Sequence, residues 1–256
     1  MGQVLLLLAL MGDTSAQIWD SLLKEYVASN ARVDYGRWKR DSTNKLDSYL
    51  GALAPAWPAS LTNNSRKAAL INAYNACMIR WILQNYPVES VWRTRSPFNA
   101  ARFQVNGAKV SLDDIETKLR SMGDPRIHGA LVCSARSCPP LRREAYTEDH
   151  VNEQLDDNVR AWLANPSLNE FFPEESVARV SWIFGWYRKD FQAAGSVPRF
   201  LAKYGPRDKA AFLSDKNARI RYKTYLWGLN DTTELGSKYT QAQFLLDRAK
   251  NAVTKP

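Results

Sequence analysis

Cysteine and histidine are scarce in this chain, with three cysteines and two histidines among 256 residues. None of the cysteines has the paired C-x2-C spacing of zinc ribbons and fingers, so the sequence gives no reason to expect a metal centre or another cofactor. Long apolar runs are also missing. The longest, Val4 to Met11, falls far short of the roughly 20 residues that a bilayer-spanning helix needs. The formal charge is +9, yet no run of five or six basic residues occurs. Small groups such as Arg37, Lys39 and Arg40, or Lys216, Arg219, Arg221 and Lys223, read as a solvated basic surface. With no nucleic-acid-binding fingerprint beside them, they argue against a nucleic-acid partner. There is no internal repeat and no low-complexity linker. Hydrophobic residues make up 45%, with nine Trp and eleven Tyr, which excludes a wholly disordered chain and promises a substantial core.

The N-terminal stretch "MGQVLLLLALMGDTSAQ" joins its apolar run to the small residues Thr14, Ser15 and Ala16. This fits a secretory signal over residues 1–16 cleaved after Ala16, although no Lys or Arg precedes the apolar run; the other reading is a buried first helix. Export to a secreted or periplasmic location is the expectation. No membrane span would remain after signal removal, and an oxidising compartment would let Cys133 and Cys138 pair. The expected organisation is then a single domain over 17–235 and a basic tail over 236–256 that reads as a loosely attached helix.

Helical spacing of Ile18, Leu22, Leu23 and Tyr26 predicts a first helix, and "NKLDSYLGAL" a second. Residues 66–85 carry apolar side chains nearly all round and predict a buried central helix. Asn72 and Asn75 lie three apart on one face of it, so they either brace a loop or line a site. Cys77 on the same helix reads as an inert core thiol. "RFQVNGAKVSL" predicts a hairpin turning at Asn106-Gly107, followed by a helix capped by Ser111 with Asp114 in the capping-box position. "IHGALVC" reads as a short buried strand, and the loop "SARSCPPL" follows it. Thr147 is placed as the cap of the next helix, with His150 in its solvated first turn. "ARIRYKTYL" alternates as a half-buried strand, with Ile220, Tyr222, Thr224 and Leu226 on its inner face.

The chemistry concentrates in "RIHGALVCSARSCPPLRREAY", where His128, Cys133 and Cys138 are spaced by five. Three readings compete. A thiolate at Cys138 or Cys133 is activated by His128 and attacks an acyl carbon, with Asn72, Asn75 or Glu116 in support. Alternatively, Cys133 and Cys138 form a disulfide that fixes the loop. In the third reading His128, both cysteines and an acidic group bind a metal, although the C-x2-C spacing of a zinc site is missing. In a regular strand, odd spacing would put His128 and Cys133 on opposite faces, which favours Cys138 as the partner of His128. Glu116 and Asp190 otherwise read as capped or salt-bridged surface acids.

Taken in order, "WDSLLKEYV", "RVDYGRW", "INAYNA", "SLDDIE", "DPRIHGALVCSARSCPPLRREAY", "QLDDNVRAWL", "IFGWYRKDF" and "YLWGLN" resemble the domain of unknown function family numbered 547, over about residues 19–230. The resemblance implies an exported single α+β domain, and the residues themselves predict that it is helix-rich, with a small, mostly antiparallel sheet and a buried central helix at 66–85. It also carries over Asn72, Tyr74, Asn75, Glu116, His128, Cys133, Ser137, Cys138 and Pro139 as motif residues. Three positions depart from the family's usual pattern. Leu70 stands for a Trp, Thr117 for a His, and Leu226 for the Asp of a Tyr-Asp-Trp motif. The expectation is an exported thiol-dependent hydrolase or acyl transferase, with Cys138 as nucleophile and His128 as base. Cys133 and Glu116 would complete the site, and Asn72, Tyr74, Asn75 and Ser137 would support it. The alternative is a non-catalytic secreted binding module with a Cys133–Cys138 disulfide. The partner in either case would be a small molecule, a peptide or an acidic glycan.

Overall fold

The computed structural model describes residues 15–215 and 217–253; the expected signal segment lies, except for its last two residues, outside them. Helix α1 runs through residues 15–26 and buries Trp19, Leu22, Leu23 and Tyr26, as the spacing requires. A short helix α2 (Tyr35–Asp41) and α3 (Thr43–Leu53) follow. Trp19 stacks on Tyr49 with ring centroids 5.3 Å apart, and Tyr26 on Trp38 at 4.9 Å. These rings fasten the three helices to one another.

Helix α4 (Asn63–Asn85) is the central rod. It begins a little before the expected residue 66 because the Thr62 side chain accepts from the Ser65 N–H at 3.1 Å. It ends at Tyr86, whose extended backbone is what the following Pro87 demands. Leu70, Ile71, Tyr74, Met78 and Ile82 are all buried on it, and α2, α3 and the later helices α5 (Leu112–Arg120) and α6 (Val151–Ala164) pack around it. Cys77 is fully buried there and burial pushes its thiol pKa up, as suits an inert core residue.

The hairpin forms as expected. Strands β1 (Phe103–Val105) and β2 (Ala108–Val110) are antiparallel, and both turn residues, Asn106 and Gly107, have positive φ. Ser111 and Asp114 then close a complete capping box on α5.

Three expectations are corrected. "IHGALVC" is not a strand. Residues Pro125–Gly129 form a 3-10 helix capped by the Asp124 side chain, and the chain beyond it is irregular. Its backbone groups are taken by side chains rather than by a neighbouring strand. Asn75 bonds Ala130 and Val132, and Asn158 bonds the Gly129 carbonyl. Second, Thr147 does not cap α6, which starts at Val151 after His150; the Thr147 N–H is bonded by Gln154 Oε1 at 3.0 Å and its carbonyl receives the Val151 N–H at 2.8 Å. His150 is exposed, as expected of a solvated histidine. Third, the inner–outer alternation of "ARIRYKTYL" holds only over β5 (Arg219–Tyr222). Beyond it the phase inverts, burying Tyr225 and exposing Leu226, because the chain leaves the sheet to pair with the Ser137 backbone.

The second sheet holds β3 (Glu170–Phe172), β4 (Val177–Val180) and β5, antiparallel between the first two and parallel between the last two. Between β4 and β5 come the short helices α7 (Ile183–Trp186), α8 (Arg188–Ala193), α9 (Val197–Tyr204) and α10 (Arg207–Ala210). The result is a helix-rich α+β fold with two small sheets. The tail contains α11 (Gln241–Val253), which docks on the body. Phe244 is buried against Trp92 and Trp227, and Asn251 bonds the Ser96 N–H and the Trp92 carbonyl. Among the described residues no helix is long and apolar enough to cross a membrane.

Candidate functional site

Asn72 and Asn75 are loop braces. Asn72 Oδ1 accepts from Trp19 Nε1 at 3.2 Å and the Tyr146 N–H at 3.0 Å, while its Nδ2 donates to the Tyr146 carbonyl at 2.8 Å. Asn75 Nδ2 donates to the Ala130 carbonyl and its Oδ1 accepts from the Val132 N–H, both at 3.0 Å. Asn158 of α6 adds a clamp from the other side, donating to the carbonyls of Gly129 and Pro140. These three amides satisfy backbone that no sheet covers, and they fix the segment carrying His128, Cys133 and Cys138.

A second tie comes from the chain after β5. Ser137 Oγ accepts from the Leu226 N–H at 2.8 Å, and the Ser137 N–H donates to the Leu226 carbonyl at 3.2 Å. The Arg136 N–H donates to Gly228, and Asn230 donates back to Ser134. Tyr225 and Trp227 are thereby held beside the cysteine loop. Ser137 is thus a register pin, a role consistent with its motif position.

Within this frame Cys133 and Cys138 are both free thiols, with Sγ atoms 2.6 Å apart. No disulfide joins them. Cys138 is 6% exposed and its sulfur is ringed by donors: the Cys133 N–H at 3.1 Å, the Ala135 N–H at 3.4 Å and Tyr225 Oη at 3.4 Å. Ser134 between those two N–H groups has φ of 61°, and this left-handed residue turns both toward one point, forming an anion nest. Burial opposes ionisation of Cys138, but the bonds from Cys133, Tyr225 and the nest hold its pKa below the ordinary thiol value. Cys133 is the reverse case. Its bond to the Cys138 sulfur, and then burial, push its pKa well up, so it is the proton-carrying member of the pair.

Cys133 also forms part of the wall of a cavity of about 190 Å³, together with His128, Glu116, Tyr74, Tyr187 and Tyr225. Cys138 lies behind it. The sequence expectation favoured Cys138 as the partner of His128, and that argument depended on a strand that does not exist. His128 is held elsewhere. Its Nε2 is 2.8 Å from Asp190 Oδ2 on α8, its ring stacks on Tyr187 at 4.1 Å, and Phe191 lies at 5.4 Å. Asp190 is in turn gripped by Arg120, at 2.7 and 3.0 Å, which keeps its carboxyl below the usual range. Burial outweighs the attraction of Asp190 and lowers the His128 pKa to about 4, so the imidazole is neutral at pH 7. With its Nε2 proton donated to Asp190, the lone pair rests on Nδ1.

Glu116 is half-buried, and burial raises its pKa although a bond to Tyr187 opposes the shift. It is a cavity acid, whereas Asp190 is both an ion-pair partner and the orienter of His128. No group of three or more His, Cys, Asp or Glu side chains among the described residues is disposed to hold a metal ion. The sequence did not foretell the His128–Asp190 pair or the aromatic walls from Trp92, Trp186, Tyr187, Tyr225 and Trp227. The only signal was the density of rings in "IFGWYRKDF" and "YLWGLN".

Fold and cavity together define a helix-rich α+β protein with an aromatic cavity whose wall carries Cys133, backed by the buried Cys138. Residues 58–163 match the model of a family described as protein of unknown function, DUF547, which supports a DUF547 family domain over that segment. The matched segment carries Glu116, His128 and both cysteines, while Tyr187, Asp190, Tyr225 and Trp227 come from the chain beyond it. No curated protein and no solved structure matches this chain.

Proposed function

We propose that the protein is an exported thiol-dependent hydrolase or acyl transferase whose nucleophile is the Cys133–Cys138 pair. The observation that carries this reading is Cys133 on the wall of the cavity it shares with His128, its sulfur in contact with a donor-ringed Cys138. Cys133, rather than Cys138, faces the substrate. As Cys133 attacks an acyl carbon, its proton passes to the Cys138 sulfur, a new S–C bond forms, and the leaving group departs with that proton. Water then attacks the acyl-enzyme, giving a proton to His128 Nδ1. The S–C bond breaks and the Cys133 sulfur recovers the proton from His128. Asp190 fixes the tautomer, and Glu116 with Tyr187 supplies the polar groups opposite. Export rests on the N-terminal apolar run alone.

The test is covalent capture with an activated acyl ester, p-nitrophenyl acetate, followed by intact mass and peptide mapping. An acetyl group on Cys133 is expected, abolished in Cys133→Ala and slowed at least tenfold in Cys138→Ala. Absence of acetyl from both thiols of the reduced protein refutes the reading. A second reading, a non-catalytic binding module stapled by a Cys133–Cys138 disulfide, is favoured by the 2.6 Å sulfur contact. Counting alkylatable thiols in the denatured, unreduced protein separates the two. Three support the thiol enzyme, and one, Cys77, supports the staple.

A further inference from the structure

Among the described residues, the large hydrophobic side chains left exposed are Trp182, Trp186, Leu226, Leu245 and Leu246, from 40% to 63% accessible. Three of the five share one place. Trp182, Trp186 and Leu245 line a hollow of about 520 Å³ between α7, the segment after β5 and α11, and Leu226 and Leu246 adjoin lining residues in the chain. This hollow shares Trp92, Trp186, Tyr225 and Trp227 with the thiol cavity, so the same rings wall both spaces. Tyr222, Trp182, Trp186, Trp227 and Phe244 form a row of near-parallel rings, with successive interplanar angles of 22°, 16°, 26° and 14°.

A clustered apolar surface of this kind marks a binding site rather than a solvated face. Its polar members are few, namely Thr224, Gln241 and Arg248, with the Arg248 guanidinium 5.9 Å from the Phe244 ring centroid. A sugar or a polar peptide would find few hydrogen-bonding partners on these walls. An aliphatic chain needs none. The chemistry of the walls therefore selects one occupant, and the rings shared with the thiol cavity put it beside that cavity.

We propose that this hollow takes the acyl chain of the substrate, a linear aliphatic chain lying against Trp186, Trp227, Phe244 and Leu245 with its carboxyl carbon directed at Cys133. The direction of the chain rests on the thiol-enzyme reading; the occupancy of the hollow does not.

The experiment measures binding in the full-length Cys133→Ala protein, where turnover by that thiol is removed. Butanoate, octanoate and dodecanoate are titrated as monomers and followed by tryptophan fluorescence, and vesicles of mixed phosphatidylcholine and phosphatidylglycerol form a second arm. Affinity should rise by about two- to fourfold for each methylene added, as expected for apolar transfer. Leu245→Asp should weaken dodecanoate at least tenfold and leave butanoate unchanged, and Trp186→Ala should weaken dodecanoate at least tenfold. Both side chains are exposed, so neither change opens a core cavity, and circular dichroism checks the fold. Binding of the monomers identifies a soluble acyl compound, and binding from vesicles alone identifies bilayer lipid. Affinity independent of chain length in both arms overturns the proposal. So does concentration-dependent dimerisation abolished by Leu245→Asp without any carboxylate binding, since a second copy would then cover the hollow. Chain-length-dependent binding without acetyl capture at Cys133 leaves this inference standing and removes the thiol-enzyme reading. Acetyl capture without chain-length dependence does the opposite.

Discussion

Replacing Asn75 by alanine should unfold the protein far more readily than an ordinary polar truncation would. The Asn75 amide is 3% exposed and joins two backbone groups, the Ala130 carbonyl and the Val132 N–H, each at 3.0 Å. Alanine leaves both without a partner in a region that water does not reach. Each such group costs about 1–3 kcal/mol, and relaxation of the loop recovers part of it, so a loss of about 3 kcal/mol is expected. For a protein of this size that corresponds to a fall in Tm of roughly 6–12 °C. Asn75→Asp keeps the acceptor for Val132 but loses the donor to Ala130 and must bury a charge or a proton, so it should not rescue the alanine variant. Urea unfolding of wild type and both variants measures the differences directly. A loss under about 1 kcal/mol in Asn75→Ala would refute the argument, because the 130–132 segment would then not depend on the amide. Alkylation of Cys133 in the native state supplies the local readout. It should accelerate in Asn75→Ala, since Val132 adjoins that thiol.

Two further predictions concern charge and close approach. His128 has a folded pKa of about 4 against 6.5 for the free side chain, so protonation favours the unfolded chain. Its contribution is complete above about pH 6.5, declines as pH falls, and is gone below about 4, with an upper limit of roughly 3 kcal/mol. Urea midpoints across that window should rise with pH, and His128→Gln should flatten the rise; an equal slope in the variant would assign it to other groups. Gly228 sits where a Cβ would lie 1.8 Å from the Gly236 carbonyl oxygen, a backbone atom that cannot step aside. Gly228→Ala should therefore destabilise by about 3 kcal/mol or more and disturb Trp227, observable as a changed near-ultraviolet dichroism. A variant within about 0.5 kcal/mol of wild type would show that the two segments separate easily.

Elements governed by local chemistry were legible in the sequence. The Asn106-Gly107 turn, the Ser111–Asp114 box and the apolar α4 each follow from neighbours within a few residues. What failed was the segment from Ile127 to Cys133, where apolar composition suggested a strand. No strand was needed, because Asn75 and Asn158, 57 and 29 positions away from their partners Val132 and Gly129, satisfy its backbone. His128 and Cys133 do line one cavity, but the partnerships in the structure are not the expected ones. Asp190 reaches His128 across 62 positions through α8, and Tyr225 reaches Cys138 across 87. Sequence spacing carries no information about such pairs, since they arise where helices are packed by rings that could stack in many registers.

The departures at Thr117 and Leu226 can be weighed on the same grounds. Thr117 is exposed on α5 and shares a helix face with Asp113, which is in the cavity wall, and with Arg120, which holds Asp190. A histidine there would stand at the rim of the cavity. His128 occupies the interior with its own carboxylate partner, so the chemistry proposed here does not require one at 117. Leu226 contributes through its backbone, which bonds Ser137 in both directions and needs no particular side chain. Tyr225 and Trp227, on either side of it, therefore keep their places beside the thiols. What changes is the surface, where a leucine 53% exposed replaces the carboxylate of the usual pattern. Leu226 is not among the residues that line either hollow, so its side chain alters the outer surface and not the cavity walls. The substitution thus leaves Tyr225, Trp227 and the groups they adjoin in position.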